Sequence, residues 1–152
     1  MDRRIIYTRP DGGMDIVIPC RCTEDGHLTD DQIFQRAIRA LPDNAVNIRV
    51  IAVDDVPIDR TFRNAWGHSD GQILVNMVKA RDLWMDKIRQ VRNAKLVQMD
   101  IETIKAIGAK DDELLAAIEA KKQVLRDLPQ TISLDKAETP EELKATWPAE
   151  LD

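Results

Sequence analysis

The stretch MVKARDLWMDKIRQVRNAKLVQMDIETIKAIGA, Met77 to Ala109, decides the architecture. Its apolar residues Met77, Ala80, Trp84, Ile88, Val91, Ala94, Val97, Ile101 and Ile104 recur in steps of three or four, with Gly108 near the end. That spacing predicts one long amphipathic helix. After the short polar break AKDD, Asp111 or Asp112 can cap a second helix over ELLAAIEAKKQVLRDLP. Its matching stripe is Leu114, Ala117, Ile118, Lys121, Val124, Leu125 and Leu128, with Pro129 as the stop. So short a connection makes the two helices antiparallel neighbours, a helical hairpin over residues 77–129.

Upstream, the apolar runs Arg4–Tyr7 and Met14–Ile18 flank TRPDGG, whose proline and glycines suit a strand reversal. A β-hairpin of this size is marginal alone and needs cover. TDDQIFQRAIRAL supplies it: Thr29 is a good N-cap with Gln32 at the capping-box position. Ile33, Ala37, Ile38 and Leu41 then follow at helical spacing before Pro42. In AVNIRVIAVDDVP the alternation places Val46, Ile48, Val50 and Ala52 on one face of a third strand. Residues 1–58 therefore read as a small ββαβ module. Residues 59–76 read as a connecting segment, in which TFRNAW suits one or two helical turns and GHSDG a turn before a short extended piece, Ile73 to Val75. Residues 130–152 read as an acidic tail holding a short helix, with Thr139 as N-cap, Pro140 at its first position, Glu142 completing the box and Trp147 as anchor. The fold class is α+β: a ββαβ module, a long helical hairpin and a short C-terminal helix.

A chain of 152 residues, 43% apolar and 32% charged, has the length and composition of an ordinary folding domain. No stretch has the character of a secretion signal or a membrane span, so the chain is expected to begin in a cytoplasm, with no membrane partner. The net charge is −5, with Asp135, Glu138, Glu141, Glu142, Glu150 and Asp152 crowding the tail against Lys136 and Lys144. Such a tail repels a phosphate backbone. Arg81, Lys87, Arg89, Arg92 and Lys95 are interrupted by Asp82 and Asp86, which reads as a solvated helix face, so nucleic acid is not the expected partner.

Catalytic, cofactor and metal sites are not expected. Cys20 and Cys22 have one residue between them and no second ligand pair, so they read as two free thiols. His68 with Asp70 would make an acid–base pair, but no nucleophile in a recognisable context accompanies them. PDGG lacks the Lys-Ser or Lys-Thr of a phosphate loop. What remains is an interaction protein with homo-oligomerisation open, its interface candidates being Arg60, Phe62, Arg63, Trp66, Trp84, Ile88, Arg126 and Trp147. Phe62 and Trp66, four apart, either pin the β module to the hairpin or anchor a partner.

The succession VPIDRTFRNAW, VNMVKARDLWMDKIRQVRN, KKQVLRDLP and TPEELKATWP, behind a strand like IIYTRPDGG, resembles a family of small proteins encoded in tailed bacteriophages and prophages. From Ile88 to Pro148 the chain is also similar to the C-terminal part of phage tail or tail-fibre assembly chaperones, with their arginine-rich helix, YRQALRD-like segment and closing Trp-Pro. Arg126, Asp127, Trp147 and Pro148 match that pattern, while Lys121 stands for its tyrosine and Lys122 for its arginine. The resemblance implies a non-enzymatic, tail-associated structural or assembly protein of the virion, or of the host cytoplasm during assembly, whose partners are tail, fibre or connector proteins. The alternatives are a tail-fibre assembly chaperone absent from the mature particle and a nucleic-acid-associated phage protein using Arg81, Arg89, Arg92 and Lys95.

Overall fold

The computed structural model describes residues 2–21 and 26–152. The chain divides into two compact units, Met1–Asn76 and Met77–Asp152.

In the first unit, TRPDGG reverses the chain as its composition requires. Arg9 N donates to Gly13 O at 2.8 Å, and Gly12 takes φ 73°, a left-handed angle that glycine adopts without a Cβ clash. The flanking strands β1 (Arg3–Thr8) and β2 (Met14–Val17) pair antiparallel, Ile5 opposite Val17 and Thr8 opposite Met14. Helix α1 (Asp30–Arg39) starts at a complete capping box, Thr29 Oγ1 accepting from Gln32 N and Gln32 Oε1 from Thr29 N. It buries Ile33 and Phe34. Arg3 of β1 lies 4.5 Å above the Phe34 ring and pairs with Asp31, joining strand to helix.

Strand β3 (Val46–Ala52) joins β1 from the other side, giving the antiparallel order β2-β1-β3 and the expected ββαβ module. The expected single face of Val46, Ile48, Val50 and Ala52 does not form, however. Val46 and Val50 are exposed and Ile51 is buried. The register against β1 shifts between Ile6 and Thr8, where Asn47 adopts φ 53°. An extra residue in one strand reverses which side chains point inward, and alternation alone does not reveal it.

Residues 59–76 carry more structure than a connector needs. After a single 3-10 turn at Arg63–Ala65, β4 (Trp66–Ser69) and β5 (Gln72–Val75) form a second antiparallel hairpin. Asp70 at φ 48° and Gly71 at φ 93° make its two-residue turn, the Asp-Gly pair that such a reversal favours. Trp66 therefore begins a strand, not a helical face shared with Phe62. It enters a core with Ile6, Met14, Ile51 and Val56, against which Ile16, Ile73 and Val75 pack.

In the second unit, α2 (Met77–Ala109) and α3 (Asp112–Thr131) are antiparallel. Arg92 donates to Arg126 O and Lys122 reaches Thr103, so residue numbers rise on one helix as they fall on the other. The reversal is a Schellman closure: Asp111 N donates to Ala106 O, Lys110 N to Ile107 O, and Lys110 sits at φ 58°. Asp111 then caps α3 by accepting from Leu114 N at 2.9 Å. Pro129 does not stop α3, which runs to Thr131; in the last turn its missing N–H costs one bond without breaking the helix.

The α2 stripe is not one stripe. Ala80, Trp84, Ile88 and Ala106 are buried, but Val97, Ile101 and Ile104 are exposed. From Ile88 the apolar positions advance by three successive steps of three, to Val91, Ala94 and Val97. Each such step falls about 60° short of a full turn, so three of them carry the pattern roughly half-way round the helix. On α3, Leu114 and Val124 are likewise exposed, and Lys122, not Lys121, lies inside with Ile118, Leu125 and Leu128.

Lys122 is 6% exposed, and its ammonium donates to Asp100 Oδ1 at 2.7 Å and Glu119 Oε1 at 2.9 Å. The Asp100 and Glu119 carboxylates hold its pKa above the usual lysine value, and in return Lys122 lowers that of Glu119. Its aliphatic stem fills the α2–α3 seam while the charge reaches the rim. Lys122→Met keeps the stem and leaves two largely exposed carboxylates in water, so urea unfolding should place it within about 1 kcal/mol of wild type. Lys122→Ala also removes the stem and should cost about 2–3 kcal/mol.

The C-terminal segment packs on α2. Its short helix α4 (Pro140–Ala145) is capped by Thr139, which accepts from Glu142 N, and Leu134, Ala137, Leu143 and Leu151 are buried. Trp147 meets Trp84 edge-on, ring centroids 5.3 Å apart at 64°, with the Lys87 ammonium over both rings.

Candidate functional site

The interface candidates separate into buried anchors and exposed arginines. Phe62, Trp66, Trp84 and Ile88 are buried and Trp147 is half-buried, so their apolar area is already used by the fold. Trp66 finds its apolar partners within the β module itself. Arg126 is exposed and lies 3.7 Å from Glu119. Arg60 and Arg63 are exposed, and the structure brings them together on the wall of a groove in the first unit.

That groove has a volume of about 960 Å³. It is lined by β2 and its continuation to Ile18, by Val53, Asp54 and Val56 to Ile58, and by Arg60, Arg63, Asn64 and Trp66. Arg4 and Arg9 complete a set of four arginines against two carboxylates, Asp15 and Asp54. Asp15 is already engaged, accepting from Tyr7 Oη at 2.8 Å and Arg9 Nη1 at 3.0 Å. The bond to Asp15 also raises the Tyr7 pKa, so its phenol stays protonated.

A second feature lies on α2. Val97, Ile101 and Ile104 are 63%, 53% and 69% exposed, and Ile107 beside them is also exposed. Val97 stands nine residues from both Ile88 and Ala106, two and a half turns from each, so the ridge points away from the buried face. Ala94, Val97, Ile101 and Ile104 follow the alternating three-and-four spacing of a helix-pairing seam. Sequence periodicity contains this ridge, but only the accumulated phase of its steps separates it from the core stripe.

Arg81, Arg89, Arg92 and Lys95 on α2 are engaged within the second unit. Arg81 donates to Ala137 O at 2.7 Å, Arg92 to Arg126 O, Lys95 to Glu150 O and Asp152 O, and Arg89 pairs with Asp86. Three of them thus hold other parts of the helical unit in place, and the acidic C-terminal segment is secured against α2.

His68 and Asp70 do not form a dyad. Asp70 pairs with Arg49 at 3.6 Å, while His68 Nε2 shares a hydrogen bond with Thr8 Oγ1 at 3.2 Å. His68 Nδ1 is buried without a hydrogen-bond partner among the described residues. Burial chiefly, and then the charge of Arg49, lower the His68 pKa from its ordinary 6.5, against the opposing pull of Asp70. The fold therefore favours neutral imidazole, and the unfolded chain takes up the proton at a higher pH than the native one. Stability is complete above the unfolded value and falls as pH drops through it toward the folded value. Thermal unfolding between about pH 7 and about pH 5.5 should show a steeper loss for wild type than for His68→Gln, and parallel curves would remove this role.

Cys20 is exposed and Cys22 lies outside the described residues. Among the described residues no group of histidines, cysteines and carboxylates is placed to hold a metal, and no helix is long and apolar enough to cross a membrane. Comparison with protein-family models, curated proteins and solved structures gives no match.

Proposed function

We propose that this chain is a non-enzymatic, tail-associated structural or assembly protein of a bacteriophage, acting through contacts with tail, fibre or connector proteins. The observation that carries the reading is the Val97–Ile101–Ile104 ridge, an ordered apolar seam on a helix whose opposite face is already packed. Isolated exposed apolar residues are normal on a protein surface, but a contiguous line at pairing spacing marks a contact site. Burying these three side chains contributes roughly 5–9 kcal/mol before the cost of association, enough for a specific contact if a partner helix fits. The resemblance of RTFRNAW, KKQVLRD and TWP to phage proteins supplies the biological setting. Internal use of Arg81, Arg92 and Lys95 favours protein over nucleic acid as the partner.

Two forms of this function differ in fate. A virion component stays in the particle in fixed copy number, whereas an assembly chaperone releases its client and is absent from the finished particle. Mass spectrometry of purified particles, beside affinity capture from infected cells, separates them. Absence of the chain from particles, together with absence of any tail, fibre or connector protein from its complexes, would reject both.

A further inference from the structure

We propose that the groove of the first unit binds an extended peptide of alternating acidic and apolar side chains, added as a fourth strand along the free edge of β2. The site is separate from the α2 ridge and stands on independent observations.

Charge is the first. In a chain of net charge −5 the groove gathers four arginines against two carboxylates. Arg9 is committed to Asp11 and Asp15, and Arg4 donates to Arg3 O. Arg60 and Arg63 have no carboxylate partner among the described residues, and both line the groove together with β2. Guanidinium pairs carboxylate in a two-pronged geometry, so these two side chains suit acidic groups spaced along a strand.

Backbone is the second. Among the described residues β2 is an edge strand paired with β1 alone, and an unpaired edge offers a row of amide and carbonyl groups to an incoming strand. The third is apolar lining beside that edge. Ile58, 99% exposed, and Ile18, also exposed, both line the groove, so alternate side chains of an added strand have apolar surface to meet.

These features select against single-stranded nucleic acid, the other ligand that arginines attract. Base stacking needs presented aromatic faces, and the aromatic residues of the groove, Tyr7 and Trp66, are buried. A peptide uses the charge, the edge and the apolar rim together.

Fluorescence anisotropy on the full chain tests the assignment with three labelled probes: a peptide of alternating glutamate and valine, one of alternating lysine and valine, and an oligothymidine. The glutamate peptide should bind saturably and weaken with salt; Arg60→Glu/Arg63→Glu should reduce its affinity at least about tenfold; methylation of alternate peptide amides should abolish binding. Because both arginines are exposed, the variant should retain the wild-type circular dichroism spectrum; if it does not, Ile58→Glu, at a fully exposed position, decides by the same loss of affinity. No saturable binding of the glutamate peptide, equal binding of the lysine peptide, or tighter binding of oligothymidine would overturn the proposal.

Discussion

Trp66→Ala should cost the first unit about 3–5 kcal/mol, the range for emptying a buried tryptophan site. Trp66 packs with Ile6, Met14, Ile51 and Val56 and stands where β4 leaves the 3-10 turn. Removing it withdraws the largest side chain that the β4–β5 hairpin places in this core, beside Ile73 and Val75. Whole domains are stable by only about 5–15 kcal/mol, so a unit of this size would be left near its unfolding threshold. The expected result is a large fall in the urea midpoint and lost amide protection at Ile5, Ile6 and Ile51. Trp66→Phe, which keeps most of the contact, should fall between wild type and Trp66→Ala. An unchanged midpoint for the alanine variant would mean that the aromatic is not part of this core.

Much of this architecture is legible without coordinates because local chemistry and tertiary packing agree. TRPDGG makes its turn, Thr29 and Gln32 close their box, and Asp111 and Thr139 cap the helices that follow them. The departures on β3 and α2 concern phase, and that in residues 59–76 concerns element type. One bulge at Asn47 turns Ile51 inward instead of Val50. The Asp70-Gly71 pair is a strong hairpin signal, but the strands beside it, WGHS and QILV, are too short to declare themselves. Lys122 reads as surface by type, and only its two carboxylate neighbours across and along the hairpin make burial tolerable. As for the candidate site, Arg60 and Arg63 are foreseeable as exposed side chains, whereas the groove they line depends on β2, which is distant in sequence.

The rotation along α2 has the largest functional consequence. Because three steps of three carry the pattern from the inner face at Ile88 to the outer face at Val97, the same helix supplies the hairpin core and presents the exposed ridge that we propose as an outside contact. Changes on the ridge should therefore separate binding from folding. Ile101→Glu/Ile104→Glu removes two exposed side chains, leaves Ala80, Trp84, Ile88 and Ala106 untouched, and introduces residues of good helix propensity. Helicity and thermal midpoint should stay close to wild type. In a complex, however, each glutamate takes the place of an apolar anchor worth about 1.5–3 kcal/mol and forces a carboxylate into an apolar seam. The combined loss should exceed about 100-fold in affinity.

The decisive measurement is affinity capture of the full chain from infected cells, wild type beside Ile101→Glu/Ile104→Glu, with bound proteins quantified by mass spectrometry. A ridge that performs the function predicts a tail, fibre or connector protein recovered in stoichiometric amount with wild type and lost with an equally folded variant. Equal recovery with both, or no such protein with either, would contradict it.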